Sequence, residues 1–220
     1  METGKGLKLT PEEQELITSA VRRAEEKTNA EIVPMIVIRS GLYRDVQYRT
    51  GLLVGLVVLA GLLMMEPLWL PWGWSASNAA WLMAAVILGY GGGAWLGKWP
   101  PVIRLMTSRE RMDQKVMWRA ERAFAQHALA KTRESTGVLI MLSMLERSIY
   151  VLPDRSLADL VPSERWREVV QASIQHLHEG QIVVGLCDAI QACGALLAEV
   201  CPGRPGDNPN ELPDQLIQEP

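Results

Sequence analysis

The sequence predicts an α/β protein: an α/β/α sandwich around a small mixed sheet, interrupted by a two-helix transmembrane hairpin. Three observations predict it. Between Thr50 and Gly97 the only charged residue is Glu66. That block is broken once, by Pro67, Pro71 and Gly73, so it reads as two apolar spans and a tight reversal. Charged, amphipathic sequence lies on both sides of it and contains three short apolar runs of strand character. The hairpin is therefore expected to be inserted into a folded domain rather than attached at one end.

The elements follow in order. Thr10-Pro11-Glu12-Glu13 opens a helix, with Thr10 as N-cap, Pro11 at the first helical position and Glu13 completing a capping box. Leu16, Ile17, Ala20, Val21 and Ala24 continue it at helical spacing, and it ends near Lys27-Thr28-Asn29. EIVPMIVIRS is an apolar run rich in Ile and Val, a buried strand in which Pro34 marks an edge or a bulge. After the hairpin, Thr107 to Arg133 is expected to be one long charged helix. Thr136-Gly137 leads into VLIMLSM, and MLERS reverses the chain into SIYVLP, which together read as a β-hairpin. Pro162-Ser163-Glu164-Arg165 opens a further helix that Gly180 closes, and a last helix runs from Ile182 to Val200. From Cys201 onward, CPGRPGDNPNELPDQLIQEP is expected to be a disordered tail, being rich in Pro, Asn and Asp.

This gives four segments: 1–49, the first part of the domain; 50–97, the hairpin; 98–200, the rest of the domain; and 201–220, the tail. The first is too small to bury a core alone, so it is expected to fold together with the third.

A span needs roughly 20 apolar residues to cross about 30 Å of hydrocarbon. Gly51 to Met65 reaches that length with Leu68, Trp69 and Leu70, and Asn78 to Gly97 reaches it alone, placing the spans at about 50–70 and 77–97. Trp69, Trp72, Trp74 and Trp81 cluster around the turn, and Trp95 and Trp99 mark the other end, as interfacial belts do. The N-terminus has no apolar core of signal-peptide length, so the first span is expected to act as the insertion signal. Arg39, Arg44 and Arg49 precede the first span, and Lys98, Arg104, Arg109, Arg111 and Lys115 follow the second. The positive-inside rule puts both flanks and both termini in the cytoplasm, in a multi-pass inner-membrane protein. Gly89, Gly93 and Gly97 form a stripe with Ala85, and Gly51 and Gly55 lie at the matching depth on the first span. Small residues there let the two backbones approach, or let one copy of the chain associate with another as a homo-oligomer.

Several functional classes are disfavoured. A net charge of −3 makes no electrostatic case for nucleic acid. The spans carry no charge at mid-depth, which disfavours an ion pathway. Cys187, Cys193 and Cys201 show no metal spacing and read as buried small residues. His176 and His178, two apart on a helix, point to different faces, and His127 is isolated. There is no Walker loop, Gly-x-Ser-x-Gly elbow or HExxH, and no nucleophile has an evident partner base, so no catalytic residue is assigned.

The stretches KTNAEIVPMIV, STGVLIMLSMLERSIYVLPDRSL and HEGQIVVGLCDAIQACGALLAEVCP resemble the TPM domain, a family of thylakoid, phosphatase and receptor-modulator proteins. The marks are Thr28, Ala30 and Glu31 before the first strand and Thr136-Gly137 before the second. They continue with Glu146-Arg147 in the turn, Asp154 after the third strand, and Gly185, Leu186, Ala189 and Ile190 in the last helix. The NELPDQLI tail and the inserted hairpin are similar to a bacterial membrane-protein subgroup of that family. The resemblance implies a compact α/β/α sandwich. Its members are linked to photosystem repair, receptor modulation and weak acid phosphatase activity with calcium, a spread that forbids transferring any one function.

If the first two strands are parallel, Glu146-Arg147 lies at the end from which the hairpin leaves, facing the membrane. Arg147 would then join Arg44, Arg49, Lys98 and Arg104 at anionic headgroups. Asp154 lies at the opposite end with Glu31, and two carboxylates beside backbone carbonyls suit a hard cation, Ca²⁺ or Mg²⁺. The simpler roles are an ion pair of Glu31 with Arg22 or Lys27, and a cap by Asp154 on DRSLAD. The expected function is a membrane-anchored module that binds or assembles a membrane or membrane-associated protein. The alternative is a weak metal-dependent phosphatase using Glu31 and Asp154.

Overall fold

The computed structural model describes residues 9–65, 76–127, 129, 136–203 and 215–219. They form two compact units: Met1–Gly41 with Met112–Pro220, and Leu42–Arg111.

The first unit begins with α1 (Pro11–Glu25). Its start is fixed by a reciprocal cap, in which Glu13 N–H donates to Thr10 Oγ1 at 3.2 Å and Thr10 N–H donates to Glu13 Oε2 at 2.7 Å. Ile17, Ala20, Val21 and Ala24 are its buried stripe. Then comes β1 (Glu31–Val37), buried throughout. β2 (Gly137–Ser143) pairs with β1 in parallel, Glu31 opposite Gly137 and Val37 opposite Ser143. β3 (Ser148–Pro153) returns antiparallel to β2, and β4 (Ile217–Glu219) lies parallel to β1, giving the order β3-β2-β1-β4.

β4 corrects the expectation of a disordered tail. Ile217–Glu219 pairs with Met35–Val37, and Pro202 bridges to Thr28, while residues 204–214 lie outside the described residues. The pairing also explains how Pro34 is tolerated. Glu31 N–H donates to Thr136 O on the β2 side and Ile38 N–H donates to Glu219 O on the β4 side. Position 34 shares the parity of Ile38, so its missing N–H faces the side where β4 has not yet begun. Among the described residues, β1 is an edge strand up to Pro34 and an inner strand after it.

Alternation along the strands separates two cores. Ile32, Ile36, Val138, Ile140, Leu142, Ile149 and Val151 face α1, α7 (Ser163–His178) and α8 (Ile182–Val200). Val33, Met35, Val37, Leu139 and Met141 face α5 (Arg109–Gln126), through Val116, Ala120 and Ala123. This is an α/β/α sandwich around a four-stranded mixed sheet. α6 (Arg155–Leu160) joins β3 to α7. By length and composition α8 is one of three helices among the described residues apolar enough to cross a membrane. Its Leu186, Ala189, Ile190, Cys193 and Leu197 nevertheless fill the larger core. A methyl group at Gly194 would sit 2.6 Å from Ala24 Cβ, so α1 and α8 meet there almost backbone to backbone.

The second unit holds α2 (Arg44–Met64), α3 (Ala76–Leu96) and α4 (Pro100–Met106). α2 begins ahead of the apolar block, and its first turn is tied by Asp45, whose Oδ2 lies 2.6 Å from Arg111 Nη1. The turn carrying Trp69, Trp72 and Trp74, with Leu68 and Leu70, lies outside the described residues. The helix expected over 107–133 is present as α5, Arg109–Gln126, and α4 is a separate short helix ahead of it, ending at Met106 with Thr107 extended between them. Pro100 and Pro101 open α4 as a separate element, because proline is tolerated in a first helical turn but cannot continue the preceding helix.

Candidate functional site

Glu31, Gly137 and Asp154 form one row across the sheet. Glu31 is opposite Gly137, and Asp154 N–H donates to Gly137 O at 2.8 Å. With strands about 4.8 Å apart, the outer two Cα atoms are roughly 10 Å from each other. Glu31 shares the parity of Val33 and Met35, which places it on the α5 face. The central position must be glycine: a methyl group there would sit 2.7 Å from the Leu129 carbonyl oxygen. Both acids are buried, Glu31 at 4% exposure and Asp154 at 8%.

Asp154 is half satisfied. It is the N-cap of α6, with Oδ1 accepting from Arg155 N–H at 2.6 Å. Its Oδ2 is buried and has no hydrogen-bond partner among the described residues. The capping role read from the sequence is therefore present, but it engages one oxygen only. As a cation site the row fits in kind, since its groups are hard oxygen donors, and the Leu129 carbonyl lies over its centre. It falls short in number: among the described residues no three His, Cys, Asp or Glu side chains gather where a metal could be held. Carbonyls and water would have to complete the six to eight oxygens that Ca²⁺ takes.

The opposite end of the same strands is differently made. Glu146 accepts from Ser40 N–H at 3.1 Å through Oε1 and from the Ser143 hydroxyl through Oε2. Ser40 Oγ donates to Ser143 Oγ at 2.9 Å, and Ser143 is fully buried. Met144 and Leu145 N–H groups donate to the carbonyls of Val37 and Ile38. This closes the chain leaving β1 onto the β2–β3 turn. Arg147, exposed, takes the left-handed conformation in that turn at φ 51°. From the sequence Glu146 has only a place in the turn; its partner Ser143 is three residues away, but Ser40 is 106 residues away in the chain.

Arg44, Arg49 and Lys98 are exposed and Arg104 half-buried in the second unit. There the hairpin glycines line the contact of α2 with α3. Methyl groups at Gly93, Gly89 and Gly51 would lie 2.7 Å from Thr50 O, 2.9 Å from Val58 Cγ2 and 3.0 Å from Tyr90 O. Gly97 backs onto Gln47 and Thr50, and Gly55 onto Tyr90 and Val86.

Other titratable groups do not join the row. Burial pushes the Cys193 thiol up to about 12, and burial, with Asp188 beside it, raises that of Cys187. Neither is thereby primed as a nucleophile. Burial and then Glu121 raise the Tyr150 hydroxyl. Asp188 lies 3.2 Å from His176 Nε2, an ion-pair partner that the sequence did not suggest. Glu219 ties β4 to α5, bonded to Arg119 and, at 3.0 Å, to His127.

The TPM domain family model matches residues 102–196 of the chain, which run from α4 through most of α8. Among solved structures, the NMR structure of BA42 protein from the psychrophilic bacterium Bizionia argentinensis is similar to it. The two share 18% identity over all of both chains, with a TM-score of 0.60, a likeness that shows the fold alone. No curated protein matches this chain.

Proposed function

We propose that the protein is a membrane-anchored TPM module whose recognition end is the Glu31–Gly137–Asp154 row. The hairpin crosses the inner membrane with both termini in the cytoplasm, and the row binds a cationic or hydrogen-bond-donating group of a membrane or membrane-associated partner. The observation that carries this reading is Asp154 Oδ2, buried without a partner among the described residues. A buried carboxylate oxygen left unpaired is disfavoured by about 1–3 kcal/mol or more, which a ligand's donor or cation would relieve. The basic residues flanking the spans, Arg44, Arg49, Lys98 and Arg104, support the cytoplasmic orientation, and with Arg147 they would meet anionic headgroups.

The test uses the full chain in detergent with Glu31→Gln and Asp154→Asn as conservative variants. A partner recovered from native membranes by the wild type should be lost with both, while their thermal unfolding stays close to the wild type. Recovery unchanged in both variants sinks the reading. A weak phosphatase using Ca²⁺ or Mg²⁺ is the second reading, favoured by the hard-oxygen character of the same two side chains. It predicts metal-dependent turnover of a phosphate ester that both variants abolish, and unchanged turnover in them rejects it. Cysteine labelling in the 69–77 turn from the outer side alone is expected, and labelling from the cytoplasmic side alone reverses the orientation.

A further inference from the structure

We infer that α4 lies flat in the headgroup layer of the bilayer, an interfacial helix at the foot of the hairpin. This rests on the membrane reading above. α3 has 21 residues. At about 1.5 Å per residue it covers roughly 31 Å, the whole hydrocarbon thickness, by Leu96. Gly97 still packs against Gln47 and Thr50, so both helices are present at that level. Trp99 is then extended, and Pro100 and Pro101 start a separate helix. α4 therefore begins where the span ends.

The exposed groups of this region have the composition of an interface. Ile103 and Thr107, four residues apart, are turned inward at 7% and 6% exposure. Leu105, on the other side, is 85% exposed. Trp95 and Trp99 pack edge to face with centroids 5.5 Å apart, both half exposed. Lys98 and Arg49 are exposed in the same unit. Aromatic rings, one large apolar side chain and basic groups together match the headgroup–acyl boundary, which accepts all three. The exposed apolar exterior of the spans, including Leu56 and Ile87, belongs to the same compact unit and commits the occupant to lipid.

Photo-cross-linking tests this in the full chain reconstituted in phosphatidylethanolamine–phosphatidylglycerol vesicles. Benzoylphenylalanine replaces, one at a time, Leu105, Ile87 in the span, and Trp118, which is exposed on α5. A lipid adduct at 105 comparable to that at 87, and at least ~10-fold above that at 118, is the expected result for an in-plane helix. Lipid adduct at 87 with none at 105, or with protein adducts there, overturns the interfacial helix while the membrane reading stands. Equal lipid adduct at 105 and 118 also overturns it, because the contact is then not particular to α4. No lipid adduct at 87 removes the membrane reading itself, and this inference with it.

Discussion

The two ends of the β1–β2 pair each hold a carboxylate among backbone groups, and they treat it in opposite ways. At the end where the chain leaves β1, both oxygens of Glu146 accept hydrogen bonds, from Ser40 N–H and the Ser143 hydroxyl. At the end where β1 begins, Asp154 caps α6 with one oxygen and leaves the other buried and, among the described residues, unpaired. A carboxylate whose acceptors are filled stabilises the fold it joins. One left half-filled carries a penalty into the folded state, and that penalty is the part a ligand can remove. On the proposed reading, Glu146 is a structural acid and Asp154 a recognition acid.

The strongest way to break the contrast is Glu146→Ala. It strips the Ser40 N–H and the buried Ser143 hydroxyl of their acceptor, and a loss of about 2–4 kcal/mol is expected in urea unfolding followed by far-ultraviolet circular dichroism. A loss below that of Asp154→Ala would show that the Glu146 cluster is not the structural end. Gly137→Ala is next. Its methyl group would press on the Leu129 carbonyl, which is backbone and cannot rotate aside. About 1–3 kcal/mol is expected, with the same measurement as readout. A neutral result would mean that the segment carrying Leu129 yields, leaving the centre of the row open to a larger group.

Much of this arrangement is written locally in the chain, and the rest is not. Thr10 to Glu13 spells its own cap, and Gly180 takes the positive φ of 82° that its helix end requires. The apolar runs at 31–37, 137–143 and 148–153 are strands because alternate residues serve two cores at once. Placing Glu31 with Gly137 and Asp154 followed from the topology alone. The Glu146 cluster is only half local: Ser143 precedes Glu146 by three residues, but Ser40 lies 106 residues away. β4 was hidden for a related reason. Leu216 and Ile217 are a two-residue apolar pair in a polar tail, and the strand character there comes from pairing with β1 and from Arg119 and His127, which hold Glu219. α4 was not legible because PPVIRLM is short, apolar and opens on two prolines, so it reads as a connection rather than a helix.

The smallest expected effect discriminates best. Asp154→Ala removes an N-cap and should cost about 1 kcal/mol. Asp154→Asn keeps a capping oxygen for Arg155 N–H, asparagine being as good a cap as aspartate, and replaces the unpaired oxygen with an amide. Stability should move by less than about 0.5 kcal/mol, because the remaining amide is neutral and less demanding to bury than a carboxylate. On the proposed reading, whatever the row binds through charge should nonetheless be lost: a thermal shift with millimolar Ca²⁺ or Mg²⁺ is expected in the wild type and not in this variant. A variant that unfolds early would make Asp154 a second structural acid like Glu146. One that keeps both its stability and its cation response would move recognition away from the head of β1, and the two ends would no longer differ in kind.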